Sequence, residues 1–237
     1  AIDSCAEQLM ILRSVFVIEN GEVITRVMPE VSIPVEFAKL ADKQQLNSEL
    51  AVFVRPFLLE QAPLIRIGLW SVSEDCSYLA LDIHHSIADG MSATLLLTML
   101  LDCYQDKSPA PQPWQYHDYI GYNLQQLARR EPDNLAYWQQ VLTSLPEPLQ
   151  LSPGRDRPLQ FNGEGETLNL HVEQELLQQL QQFASRQGCT LFVLLYAAYA
   201  LALHKMSGQD DVVIGVPVAG RDLPEVAEVP GVFMRVL

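Results

Sequence analysis

The sequence predicts an α/β protein built as two lobes, the second of them cut short. Three observations carry this. Residues Tyr78 to Ile83 alternate as a strand, then pass through a turn into the apolar stretch Met91–Leu101, which reads as a buried helix. An Asn-Gly pair at positions 20 and 21 lies between two β-rich runs, the usual signal of a hairpin. A proline-rich stretch from Leu145 to Pro158 then separates two series of elements. It divides the chain into an N-terminal lobe of residues 1–145 and a partial C-terminal lobe of residues 146–237.

Taken in order, Gln8 to Leu12 reads as the end of a helix, and Arg13 to Ile18 and Val23 to Val27 as the two hairpin strands. Residues 36–54 read as a mixed helical stretch. Leu64–Trp70 and Tyr78–His85 are strand candidates, followed by a helix from about Ser92 to Cys103. Pro109, Pro111 and Pro113 mark a linker, after which helices are expected over Tyr116–Leu127 and Leu135–Leu142. Beyond the second proline-rich stretch come a strand at Glu166–Val172 and an amphipathic helix at Glu175–Arg186. The helix Leu191–Leu203 is apolar all round, which predicts burial on every side. Its aromatic positions Phe192, Tyr196 and Tyr199 share one face and read as core packing. Val212–Pro217 is a further strand, and Val232–Leu237 begins another.

Composition bounds the function. With 237 residues, 49% hydrophobic and 19% charged, the chain is globular rather than disordered. A formal net charge of −14 argues against a nucleic-acid partner, which needs a basic face. The cysteines Cys5, Cys76, Cys103 and Cys189 are scattered and form no CxxC pair, and the reading is reduced, mostly buried thiols. The longest apolar run, Leu191–Leu203, is shorter than the roughly 20 residues of a membrane span. No leader with a cleavage signature stands at Ala1. The expectation is a cytoplasmic protein without a membrane span.

The chemistry concentrates at His84-His85-Ser86-Ile87-Ala88-Asp89-Gly90, where a strand ends and a turn begins. Such loops expose reactive groups on a fixed scaffold. Two histidines and an aspartate could ligate a metal, but neighbouring strand residues point to opposite faces, and no second cluster supplies the missing ligands. No metal is expected. His84 reads as a hydrogen-bonded structural residue. His85 leads into the turn from an apolar face, where a neutral imidazole can accept a proton or orient an amine or hydroxyl nucleophile. Asp89 has two available jobs, orienting a histidine or locking the loop through an arginine. Gly90 is free to adopt φ > 0 and lets a substrate approach the backbone.

These residues resemble the HHxxxDG motif of the condensation domains of nonribosomal peptide synthetases, a superfamily that includes chloramphenicol acetyltransferase. Further blocks follow in the family's order. Leu12-Arg13-Ser14-Val15-Phe16 is similar to the second half of RHExLRTxF, while Gln8-Leu9-Met10 departs from its first half. Tyr116-His117-Asp118-Tyr119 matches YxDY, and Ala136-Tyr137-Trp138 suits AYW. Ser207-Gly208-Gln209-Asp210-Asp211 through Pro217-Val218-Ala219-Gly220-Arg221 resembles SGQDDxxxGxPVAGR. Near the end, Gly231-Val232-Phe233-Met234-Arg235 stands where the family has GFFVN, with Met234 and Arg235 replacing Val-Asn. The resemblance covers the whole chain, and the chain about half of the family's domain.

The resemblance implies a chloramphenicol-acetyltransferase-like two-lobed α/β sandwich with an incomplete second lobe. It also implies amide-bond formation between a donor acyl or peptidyl thioester and an acceptor aminoacyl thioester. Both would be delivered on the 4'-phosphopantetheine arms of partner carrier domains, with an adenylation domain adjacent and no cofactor bound by the chain itself. His85 would act at the reacting centre and Gly90 would present a backbone N–H there. His84, Asp89, Arg13 and Arg221 would support the site, Asp89 holding the turn through Arg13 or through its competitor Arg221. Tyr116, Asp118 and Tyr119 are expected to be structural. The alternatives are another coenzyme A- or carrier-dependent acyltransferase, an epimerisation domain, and a non-catalytic module that recruits a partner.

Overall fold

The computed structural model describes residues 2–105, 107, 112–151, 160 and 165–237. Pro109, Pro111 and Pro158 of the expected linkers lie outside the described residues. The chain forms two compact units, residues 1–135 with 217–237, and residues 136–216. This partition departs from the one drawn from composition at residue 145, because the last 21 positions belong with the first unit rather than with a C-terminal lobe.

The first unit opens with helix α1 (Ile2–Gln8) and a 3₁₀ turn at Met10–Arg13. Strands β1 (Ser14–Glu19) and β2 (Glu22–Val27) then pair antiparallel, with Glu19 opposite Glu22. Asn20 at φ 53° and Gly21 at φ 83° make the two-residue turn, the backbone that the Asn-Gly pair predicts. A three-stranded sheet follows in the order β3–β4–β5: β3 (Val35–Lys39) lies parallel to β4 (Ile65–Ser73), and β4 antiparallel to β5 (Cys76–Ile83).

The expected helical stretch over 36–54 thus begins as a strand and is helical only in its second half. Val35–Lys39 gains a ladder along β4, and the helix α2 begins only at Gln45 and ends at Phe53. The Asp42 carboxylate accepts from the N–H groups of Gln44 (2.8 Å) and Gln45 (3.1 Å), which turns the chain between the two. The Trp70 ring lies over Gly68, where a Cβ would meet it at 2.6 Å, and meets Phe53 edge-on at 5.1 Å.

Helix α3 (Gly90–Tyr104) follows β5, and α4 (Tyr116–Val141) is one helix of 26 residues where two were expected. Pro132 sits inside it on an exposed stretch. The proline removes one bond to the carbonyl four residues back, which solvent can satisfy, so the helix runs on. The main core joins Leu9, Ile11 and Leu12 to Leu64, Ile65, Ile67, Ile87 and Leu96. Each such side chain contributes roughly 1.5–3 kcal/mol on burial. Residues 217–237 return to this unit as β6 (Pro217–Val218) paired antiparallel with β7 (Arg235–Val236).

In the second unit, α5 (Gln174–Arg186) and α6 (Leu191–Ser207) meet at 99°. Thr190 caps α6 by accepting from the Val193 N–H, and Gly208 at φ 72° ends it. No single helix among the described residues is long and apolar enough to cross a membrane. Three expectations are corrected here. Residues 166–172 and 212–216 form no strand, and among the described residues neither has a paired strand beside it. The α6 helix is not enclosed: Phe192, Leu195, Tyr199 and Leu201 are each half exposed or more. Apolarity all round predicts burial only where something lies on every side.

Candidate active site

The β5 strand stops at Ile83, and the backbone then folds tightly. His84 N–H donates to Leu64 O at 3.0 Å, and Ile87 N–H returns to His84 O at 3.1 Å. Ile87 is fully buried and Ala88 nearly so, which anchors the turn in the core while its two histidines stay outside it. His84 is half-buried. Its Nδ1 accepts from the Ser86 N–H at 3.1 Å and lies 2.8 Å from the Ser86 hydroxyl. With Nδ1 as the acceptor, the neutral ring's tautomer carries its proton on Nε2. Phe57 meets the ring edge-on at 6.0 Å. His85 is exposed and makes no side-chain hydrogen bond among the described residues, leaving both ring nitrogens for solvent or substrate.

Asp89 is the most heavily engaged residue of the turn. It caps α3, accepting from the Ser92 N–H at 2.8 Å, and its other oxygen accepts from the Phe233 N–H at 3.0 Å. Arg221 donates to that same oxygen at 3.0 Å, and the two side chains are each only 4% exposed. The guanidinium also reaches the Ser92 hydroxyl (2.8 Å) and Val229 O (3.1 Å), and lies 4.0 Å over the Phe233 ring. Ser92 in turn donates to Gly231 O at 2.6 Å and accepts from the Gly231 N–H at 2.8 Å. Burial raises the Asp89 pKa, but the hydrogen bonds from Ser92 and Phe233 and the charge of Arg221 outweigh it. The carboxyl therefore ionises below its ordinary value.

Of the two candidate partners for Asp89, the structure uses Arg221. Arg13 is spent elsewhere, donating to the carbonyls of Ala6 (2.9 Å), Met28 (2.7 Å) and Pro29 (2.9 Å), where it ties α1 to the end of β2. Gly90 does not take the positive φ that it is free to adopt. A Cβ there would meet nothing within 4 Å. It opens instead on a cavity of about 250 Å³ lined by Asp89, Gly90, Met91, Pro217, Val218, Ala219 and Met234. As the first residues of α3, Gly90 and Met91 have N–H groups without intrahelical acceptors.

The tyrosines hold the returning segment. Tyr116 donates to Val232 O at 2.7 Å and Tyr119 to Gly220 O at 3.3 Å, and the Asp118 carboxylate accepts from the Gln115 N–H at 2.8 Å. Gly220 at φ 67° lies against Phe233 O, and a Cβ on Gly231 would strike the Tyr116 ring at 2.2 Å. Sequence reasoning missed Ser92, Gly231 and Phe233 as members of this network. The position of Ser92 three residues after a capping aspartate was the available signal for the first. Nothing local marks the other two.

Comparison with known proteins places these motifs. A family model described as "Condensation domain" matches residues 1–237. Tyrocidine synthase 3 of Brevibacillus parabrevis is 34% identical over 240 residues, covering 100% of this chain and 4% of that protein. The X-domain from teicoplanin biosynthesis, solved in complex with OxyB, superposes with a TM-score of 0.86 at 22% identity, over 100% of this chain and 55% of that one. A four-domain nonribosomal peptide synthetase solved with AMP and glycine gives 0.83 at 22% identity, over 99% of this chain and 18% of that one. The chain thus spans about half of a solved domain of this fold and a small part of the synthetase it resembles.

Proposed function

Since the chain belongs to the condensation-domain family, we propose that it contributes the HHxxxDG half of a site joining a carrier-bound acyl or peptidyl thioester to a carrier-bound aminoacyl thioester. Condensation domains sit within multidomain synthetases, alongside carrier and adenylation domains, and these are the partners proposed for this chain. In the reaction the acceptor's amine attacks the thioester carbonyl, the C–S bond breaks, and the nitrogen's proton leaves as the thiolate departs.

Aminolysis of a thioester runs downhill, so positioning dominates. Holding both reactants in line can remove roughly 7–11 kcal/mol of barrier, against about 10²–10⁴-fold for one general base. His85 is therefore assigned to orient the amine and receive its proton, and the Gly90 N–H to face the carbonyl oxygen across the cavity. Asp89 and Arg221 fix the turn that carries both.

The observation that supports this reading is the pairing of a rigid turn with a free imidazole. Every polar group of Asp89 is engaged below the surface, while His85 beside it is open. The test uses the protein that carries this chain and compares donors on a loaded carrier domain with free coenzyme A thioesters. Amide product from carrier-bound donor and acceptor is expected. Equal transfer from free coenzyme A thioesters, with none between carriers, would replace the reading by a general acyltransferase; carrier binding without product would replace it by recruitment.

A further inference from the structure

We propose that Cys5 and Cys103 form a latent disulfide, so that oxidation by a peroxide joins α1 covalently to α3. Their sulfurs lie 3.5 Å apart across 98 residues of sequence, one thiol hydrogen-bonded to the other. Cys5 is 1% exposed inside the main core, and Cys103 packs against that core on the last turn of α3, only partly buried. Neither takes part in the network around Asp89. A disulfide needs the sulfurs at about 2.05 Å, an approach of roughly 1.5 Å from the observed separation.

Exposure sets the order of events. Cys103, the accessible thiol, loses its proton, and its sulfur attacks the peroxide O–O bond. That bond breaks, one oxygen stays on Cys103 as a sulfenic acid, and the other leaves as water with the thiol's proton. The Cys5 sulfur then attacks the Cys103 sulfur. The S–O bond breaks, and the hydroxyl leaves with the Cys5 proton as a second water. Two thiols lose two electrons and one peroxide becomes two waters. Burial, with Cys103 alongside, pushes the Cys5 thiol up to about 12, so Cys5 is not the thiol that meets the peroxide first.

The bond would tie the N-terminal helix to the helix whose first turn carries Asp89 and Gly90. By closing a loop of nearly a hundred residues it also narrows the unfolded ensemble. The test treats the Cys76→Ser/Cys189→Ser protein with dilute hydrogen peroxide, alkylates it in denaturant, and maps its peptides by mass. Expected are the loss of two hydrogens, a reductant-sensitive peptide linking positions 5 and 103, a Tm higher by several degrees, and no such loss in a Cys103→Ser companion. If the double variant does not fold, the same peptide is sought in the wild-type protein. Both thiols still open to alkylation, Cys103 carrying two extra oxygens beside a free Cys5, or a link found only between molecules would each overturn the proposal.

Discussion

Asp89 and His85 stand four residues apart and do opposite things. The carboxylate is enclosed, capping a helix, bonding a backbone N–H from residue 233 and pairing with Arg221, whereas the imidazole is unengaged. Removing Asp89 leaves a guanidinium buried without its counter-charge, and breaking such a pair costs about 3–5 kcal/mol. Asp89→Ala should lose stability on that scale in urea denaturation. The charged carboxylate's contribution is present above the ordinary carboxylate pKa and is lost as pH falls through the lowered value. His117 gives a second, milder pH dependence. Its Nε2 lies 3.3 Å from the buried Ser14 hydroxyl and its Nδ1 is buried with no partner among the described residues, and burial holds its pKa below 6.5. The unfolded chain then binds this proton more readily than the folded one. Stability should be full above pH 6.5 and decline as pH falls below it. His117→Gln should flatten that decline in Tm measured against pH.

Among the elements, the returning segment 217–237 is the part that neighbouring residues could not announce. The hairpin, β4, β5, α3 and α5 were legible because each is set by its own pattern: an Asn-Gly turn, period-two alternation, an apolar stripe. Strand β3 was not, since Val35–Lys39 becomes a strand only by pairing with β4, thirty residues ahead. The same holds for the site. Two histidines and a turn aspartate can be picked out from the motif, but Ser92, Gly231 and Phe233 meet it only in three dimensions. The glycines separate the two kinds of role. Gly231→Ala must displace the Tyr116 ring, and overpacking of this kind costs about 1–3 kcal/mol. Gly90→Ala meets nothing and lies at the start of a helix, so the fold should tolerate it. On the proposed mechanism it nevertheless narrows the cavity and should reduce amide formation at unchanged Tm. Tm and turnover, measured together for both variants, test that split.

On the scale of the whole chain, two compact units and a family match over residues 1–237 agree with the α/β reading, while the surface of α6 does not follow from it. Phe192, Leu195 and Tyr199 share one exposed apolar face of this helix, and Leu201 is exposed on another side. The 237-residue chain should therefore bind an apolar reporter dye while still folded, and Tyr199→Lys should reduce that signal without lowering Tm. Composition reported the apolarity of this helix and could not report what lies beside it. The central claim is that one open imidazole, held by a buried ion pair, orients the attacking amine. Single-turnover peptide transfer between two loaded carrier domains, comparing wild type with His85→Ala in the protein that carries this chain, tests it most directly. The account predicts a rate lower by about 10²-fold or more at the wild-type Tm; an equally stable variant that transfers at the wild-type rate would contradict it.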